Sequence, residues 1–193
     1  MSVEHERREV GDPASLKALG HPLRQRMLRR LHRQGPATAT ALAKELGENT
    51  GVTSYHLRQL ADHGFIEDAP DLAKGRERWW RARPQDLRFL PRSAMTEDAR
   101  LALERLTELD AADDDDALRR FQQQRDTIGG WGDAFLFSRS ALRLAPDELI
   151  RFWEDYLALV LRYRQDDPDH GVAPDANDAR RILVRFLAFP DVD

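Results

Sequence analysis

In the segment NTGVTSYHLRQLADHG, Gly51, Ser54, Tyr55 and Arg58 fall at i, i+3, i+4 and i+7, so a helix begun after Asn49 carries them on one outward stripe. Thr50 joins them at the helix start. Short polar side chains and a glycine let a backbone come close to a hydrogen-bonding surface, and a helix about 10–12 Å wide matches the major groove of DNA. Arg58, one turn further along, suits either a bidentate grip on guanine or a phosphate contact. Lys74, Arg76 and Arg78, in AKGRERWWRAR, carry the kind of charge that meets phosphates or a minor groove. A stripe of this sort on an isolated helix is more often a solvated face, so its neighbours decide its meaning.

Other chemistry is poorly represented. There are 0 cysteines, which excludes disulfide frameworks, thiolate zinc sites and cysteine nucleophiles and fits a reducing cytoplasm. GxSxG, HExxH, GxxxxGK[ST] and GxGxxG are all missing, and Gly129-Gly130-Trp131-Gly132 has neither the spacing nor the lysine of a phosphate loop. His5, His21, His32, His56, His63 and His170 form no i, i+4 pair with a carboxylate that suggests zinc. The expectation is a protein that is not an enzyme, with no metal site and no cofactor. No apolar run nears the roughly 20 residues of a membrane helix, and MSVEHERREVGD is charged, so a soluble cytoplasmic chain without a signal peptide is expected.

The 193 residues, 41% hydrophobic and 33% charged, can bury a core in one domain or two small ones. Charge divides along the chain. Residues 13 to 83 hold 13 Lys and Arg against 7 Asp and Glu, net +6, whereas residues 85 to 193 hold 15 against 23, net -8. Only the first half is suited to a polyanion. Among 30 basic residues only Lys17, Lys44 and Lys74 are lysine, a bias that a GC-rich bacterial genome favours.

Local signals outline the elements that must hold the stripe. Residues 1 to 12 are charged and aperiodic and are expected to be a flexible arm. Asp12-Pro13 starts a short helix that stops at Gly20, and Pro22 starts another, carrying Leu23, Met27, Leu28 and Leu31 and closing at Gly35-Pro36. Arg24, Arg26, Arg29, Arg30 and Arg33 on it are expected to be solvated in most positions, with one or two reaching the backbone of DNA. Thr38 caps a third helix that ends at Gly47, and Asn49 caps the fourth, with Thr53, Leu57 and Leu60 inward. Two such helices joined by a tight turn are the pattern of a helix-turn-helix. Phe65 to Asp68 and Arg76 to Arg83 read as a hairpin, which makes the unit a winged helix. Trp79 and Trp80 suit packing better than nucleotide stacking, and His56 suits a packed helix position with its ring nitrogen satisfied.

Beyond Pro84 the signals thin. A helix from about Thr96 is expected to be interrupted by AADDDD at 111 to 116, where four aspartates repel one another. Residues 134 to 144 alternate like a strand, Leu149 to Tyr163 keep helical spacing so apolar that the helix should be covered on most sides, QDDPDHGVAPDAND reads as a loop, and RILVRFLAFP reads as a last strand. Strand, helix and strand there suit a dimerisation layer, a ligand pocket, or both, with Trp131, Phe135, Phe137, Phe152, Trp153, Tyr156 and Tyr163 better used as core and subunit contact than as a binding box.

LKALGHPLRQRMLRRL, TATALAKELG, TSYHLRQLADHGFIE and GRERWWRAR together resemble the ArsR-type winged-helix transcription factors of bacteria, over about residues 14 to 83. The Ser-x-His-Leu-x-x-Leu pattern at Ser54, His56, Leu57 and Leu60 makes the resemblance specific. It implies a dimeric repressor or activator whose second motif helix enters the major groove of double-stranded DNA. Three departures stand out. The first motif helix lacks the cysteines of many metal sensors in that family, and residues 84 to 130 contain no histidine, so metal sensing at those sites is not expected. Glu48 occupies a turn position that is usually apolar. Gly51 lowers the stability of the helix start by up to about 1 kcal/mol.

The expected fold is mainly α with an α+β character: a winged helix-turn-helix at 13–84 followed by a smaller α+β region at 85–193 for dimerisation or effector binding. The expected function is a sequence-specific DNA-binding regulator acting as a homodimer on an inverted-repeat operator. Either no small ligand or an apolar organic effector fits better than a metal. The alternative is a winged helix turned into a docking platform for a protein or small ligand.

Overall fold

A computed structural model of the chain describes residues 6–73, 77–163 and 180–192. It is α+β overall and mostly helical, and it divides into two units, His5–Ala117 and a second made chiefly of Leu118–Asp193.

In the first unit, the local signals form the elements they predict. Helix α1 (Pro13–Leu19) starts where Asp12 accepts the Ser15 N–H at 2.8 Å, and Gly20 closes it. Helix α2 (Pro22–Gln34) begins at Pro22 and ends at Gly35, whose φ of 80° suits glycine. Thr38 caps α3 (Ala39–Leu46), and Gly47 ends it in the left-handed region. Asn49 caps α4 (Thr50–Asp62), which stops at His63. The helices bury one stripe each: Leu16 and Leu19 from α1, Met27 and Leu31 from α2, Leu42 from α3, and Leu57 and Leu60 from α4, around Phe65 and Ile66.

The strands hold two surprises. The hairpin forms as expected, with β3 (Ile66–Asp68) antiparallel to β4 (Trp79–Ala82), but β2 (Ala37–Thr38) adds a third strand on the other side of β4. Trp80, central in that sheet, is buried, in keeping with a packing role. The second surprise is at the N-terminus. Residues 6–10 of the expected flexible arm form β1 (Glu6–Val10), which pairs in parallel with β5 (Gln85–Phe89) inside the expected connector. Burial of Val10 and the Arg8 hydrogen bonds to the His63 carbonyl and Gln85 supply the reason, since neither depends on a local pattern. Gln85 also donates to the Gly64 carbonyl at 3.1 Å, so this two-stranded sheet clasps the C-terminal end of α4.

The acidic run does not interrupt its helix. Helix α5 (Glu97–Gln124) is continuous, started by the Thr96 hydroxyl accepting the Ala99 N–H. Arg29 of α2 makes ion pairs with Asp110 and Asp113, which offsets the repulsion among the carboxylates.

In the second unit, α6 (Pro146–Arg162) forms where its periodicity predicts, yet none of its residues is buried. Phe152, Trp153 and Tyr156 cluster with Phe186, with the Tyr156 and Phe186 rings stacked at 4.4 Å. The two expected strands do not form: residues 134 to 144 and 181 to 190 belong to no sheet, so the strand content of the fold lies in the first unit among the described residues. A period-2 pattern makes a strand only when a neighbouring strand accepts its backbone hydrogen bonds, and no ladder reaches these segments. The loop expected at 165 to 178 lies outside the described residues.

Candidate nucleic-acid interface

Helix α4 is anchored on one side and open on the other. Thr53, Leu57 and Leu60 are fully buried, and the Thr53 hydroxyl donates back to the Asn49 carbonyl at 3.1 Å. Asn49 Oδ1 accepts the Gly51 N–H at 2.7 Å, which supports the helix start that glycine weakens. On the open side Thr50, Gly51, Tyr55 and Arg58 are exposed and Ser54 is half-buried. All five stripe residues therefore sit together on one outward face.

That face borders a concavity of about 240 Å³ between the start of α3, helix α4 and strand β4. Thr50, Ser54 and Arg58 line it from α4, Thr40 from α3, and Glu77 and Arg78 from the wing, with Trp80 at its base. Arg58 Nε donates to the Ser54 carbonyl at 3.1 Å, which lays the guanidinium stem along α4. Arg78 pairs with Asp68 at 2.8 Å and stacks over the Trp80 ring at 4.1 Å. Lys74 and Arg76, the other two cations expected to contact DNA from the wing, lie outside the described residues.

Two residues join the face that the helical pattern did not single out. Val52 is 42% exposed between Gly51 and Thr53 and offers an apolar contact of the sort a thymine methyl accepts. Thr40, exposed in the first turn of α3, presents a hydroxyl beside helix N–H groups. Val52 is detectable as the aliphatic residue on the outward arc, but Thr40 has no local signal because only the tertiary turn brings α3 beside α4.

The arginines of α2 differ from expectation. Rather than being mostly solvated, Arg30 makes a bidentate pair with Glu45 at 2.6 and 3.0 Å, Arg26 reaches the Leu46 carbonyl and Glu48, and Arg29 reaches α5. Arg24 donates to the carbonyls of Lys17 and Ala18 and to His56. These side chains join helices through groups far apart in sequence, which helical spacing cannot reveal. Glu48 in the turn is explained the same way, by its 3.8 Å pair with Arg26. His56 is buried with its ring nitrogen satisfied, as its position suggested.

A family model described as a helix-turn-helix domain matches residues 19–69, spanning α2, α3, α4 and β3. No curated protein is matched. Among solved structures, RV1404 from Mycobacterium tuberculosis is similar at 16% identity and a TM-score of 0.31, over 77% of this chain and 81% of that one, a likeness too weak to carry a functional reading. No helix among the described residues is long and apolar enough to cross a membrane. Residues 19–69 are a helix-turn-helix domain, and a domain of this kind implies DNA binding.

Proposed function

We propose that this protein is a sequence-specific transcriptional regulator of the ArsR type, not an enzyme, with residues 13–84 as its winged DNA-binding domain and 85–193 as a dimerisation or effector region. The observation that carries the proposal is the two-sided construction of α4: one face is fully buried, while Thr50, Ser54 and Arg58 open onto a concavity shared with Arg78 of the wing. In this reading α4 lies in the major groove. Thr50, Gly51, Ser54 and Tyr55 face base edges, Arg58 grips guanine or phosphate, and Lys74, Arg76 and Arg78 meet the backbone or minor groove. A homodimer aligns two such helices on an inverted repeat with half-sites about 10 bp apart. Effector control, where present, falls to an apolar organic molecule rather than to a metal at the family's usual positions.

The cheapest test is an electrophoretic shift with the DNA flanking the protein's own gene, run at two salt concentrations. A complex that depends on sequence and weakens as salt rises is expected, because each neutralised phosphate releases counterions. The rival docking-platform reading rests on the acidic second half of the chain and on the unusual Glu48 and Gly51; of these, Glu48 and Gly51 have local structural partners in Arg26 and Asn49. A protein that shifts no duplex at low salt would favour that rival.

A further inference from the structure

At the junction of α1, α2 and α4, two histidine rings meet with their centroids 4.4 Å apart. His21 is the N-cap of α2, and its Nδ1 accepts the Leu23 N–H at 3.2 Å. His56, on the packed side of α4, has its Nδ1 3.3 Å from Nη1 of Arg24. A guanidinium only donates, so this Nδ1 must be an acceptor. Both rings are therefore held in the neutral form that leaves Nδ1 bare. Arg24 extends the junction to α1 by donating to the Ala18 carbonyl at 2.5 Å and the Lys17 carbonyl at 2.7 Å. On the other side of His56 the ring of Tyr55 meets it edge-on at 5.1 Å, and Tyr55 belongs to the open face of α4.

We infer that His21 and His56 form an acid-sensitive latch that positions α4: with both rings neutral the latch seats the reading helix, and protonation releases it. The inference rests on α4 being the helix that reads DNA. Protonation turns each bare nitrogen into a donor facing a donor, the Leu23 N–H for His21 and the Arg24 guanidinium for His56, and it sets two imidazolium rings against each other and against Arg24. The charged and titratable groups around the pair are Arg24 on α2, Tyr55 on α4 and Glu48 in the turn before α4. Lys17 of α1 contributes its carbonyl and turns its amine to Asp98 at 3.4 Å. Glu48, the one anion of the set, is shared with Arg26.

Burial first, then the neighbouring cations, holds both rings below the ordinary histidine value of 6.5; Glu48 opposes this only at His56. A folded-state value below the unfolded one means that the seated state binds fewer protons. Its advantage is complete above about pH 6.5 and is lost as pH falls through the lower folded values. One pH unit below 6.5, the balance between released and seated states shifts by up to about tenfold per histidine.

The test uses the full chain, with His21→Asn and His56→Gln together, since an asparagine still caps α2 and a glutamine still offers Arg24 an oxygen. Ring titrations followed by NMR, assigned with the two single variants, should place both wild-type rings below 6.5. Wild type should lose thermal stability between about pH 7.5 and about pH 5.5 more steeply than the double variant, and should lose affinity for a duplex recovered from random-sequence selection, which the double variant retains. Two rings titrating at or above 6.5, or matched melting profiles, would overturn the latch. Binding that tightens in acid equally for both proteins, as added positive charge does without sequence recognition, would also overturn it. If no duplex binds at any pH, the reading of α4 fails, while the NMR and melting results still decide the latch.

Discussion

The two units both set apolar residues at helical spacing, and only the first hides them. Every buried hydrophobic side chain among the described residues lies between Val10 and Leu106. No residue of α6 is fully buried, and Leu136, Phe137, Leu187 and Phe189 in the same unit are mostly exposed. The difference is one of partners. Helices α2 and α4 find α3, β3 and β4 within the same unit and close a core among them, whereas the segment that sets Phe186 against α6 joins no sheet. A hydrophobic stripe predicts that a surface wants covering; whether the same chain covers it depends on a second layer of structure.

Core deletion probes this contrast most strongly. Phe65→Ala, at a residue 1% exposed, should cost about 3–5 kcal/mol in denaturant unfolding. Phe137→Ala, at a residue 80% exposed, should change stability by less than about 0.5 kcal/mol. A comparable loss at Phe137 would break the comparison by showing that the second unit's apolar residues are covered in solution. Smaller in energy, but aimed at function, Arg58→Ala should weaken duplex binding by about 1–3 kcal/mol if it grips guanine, measured at matched salt, and should leave the melting temperature nearly unchanged because the side chain is exposed. Equal loss of binding and stability would sharpen the account differently, by making Arg58 a structural residue of α4.

The smallest effect concerns a single cap. Asp12→Ala should cost about 1 kcal/mol of stability. The Ser15 N–H donated to the Asp12 carboxylate holds its pKa below 3.8. That stability is therefore complete above about pH 3.8 and lost as pH falls through the lower folded value, so Asp12→Asn should flatten the acid limb of the unfolding curve.

Where the fold was legible, the signals were local. Asp12, Thr38 and Asn49 cap the starts of α1, α3 and α4, and Gly20, Gly35 and Gly47 end α1, α2 and α3, the last two with positive φ, because capping and left-handed backbone depend on a few neighbouring residues. The stripe on α4 was legible for the same reason: Thr53, Leu57 and Leu60 fix its inward face, and the outward face follows from the helical repeat. What was not legible depends on distance along the chain. The β1 and β5 strands pair across a separation that no periodicity spans, Thr40 enters the concavity only through the turn between α3 and α4, and Arg29 steadies an acidic run far from it in sequence. The segments at 134 to 144 and 181 to 190 misled in the opposite direction, since alternation describes which faces are apolar and says nothing about whether a pairing strand exists.

The most direct measurement is protection of guanine N7 atoms, which lie in the major groove, from methylation on a selected duplex bound by wild type and by Arg58→Ala. The account predicts protected guanines in two half-sites one helical turn apart, with weaker protection at matching positions of both half-sites in the variant. Unprotected guanines in a firmly bound duplex, or protection confined to one half-site, would contradict the seating of α4 in the groove as a symmetric pair.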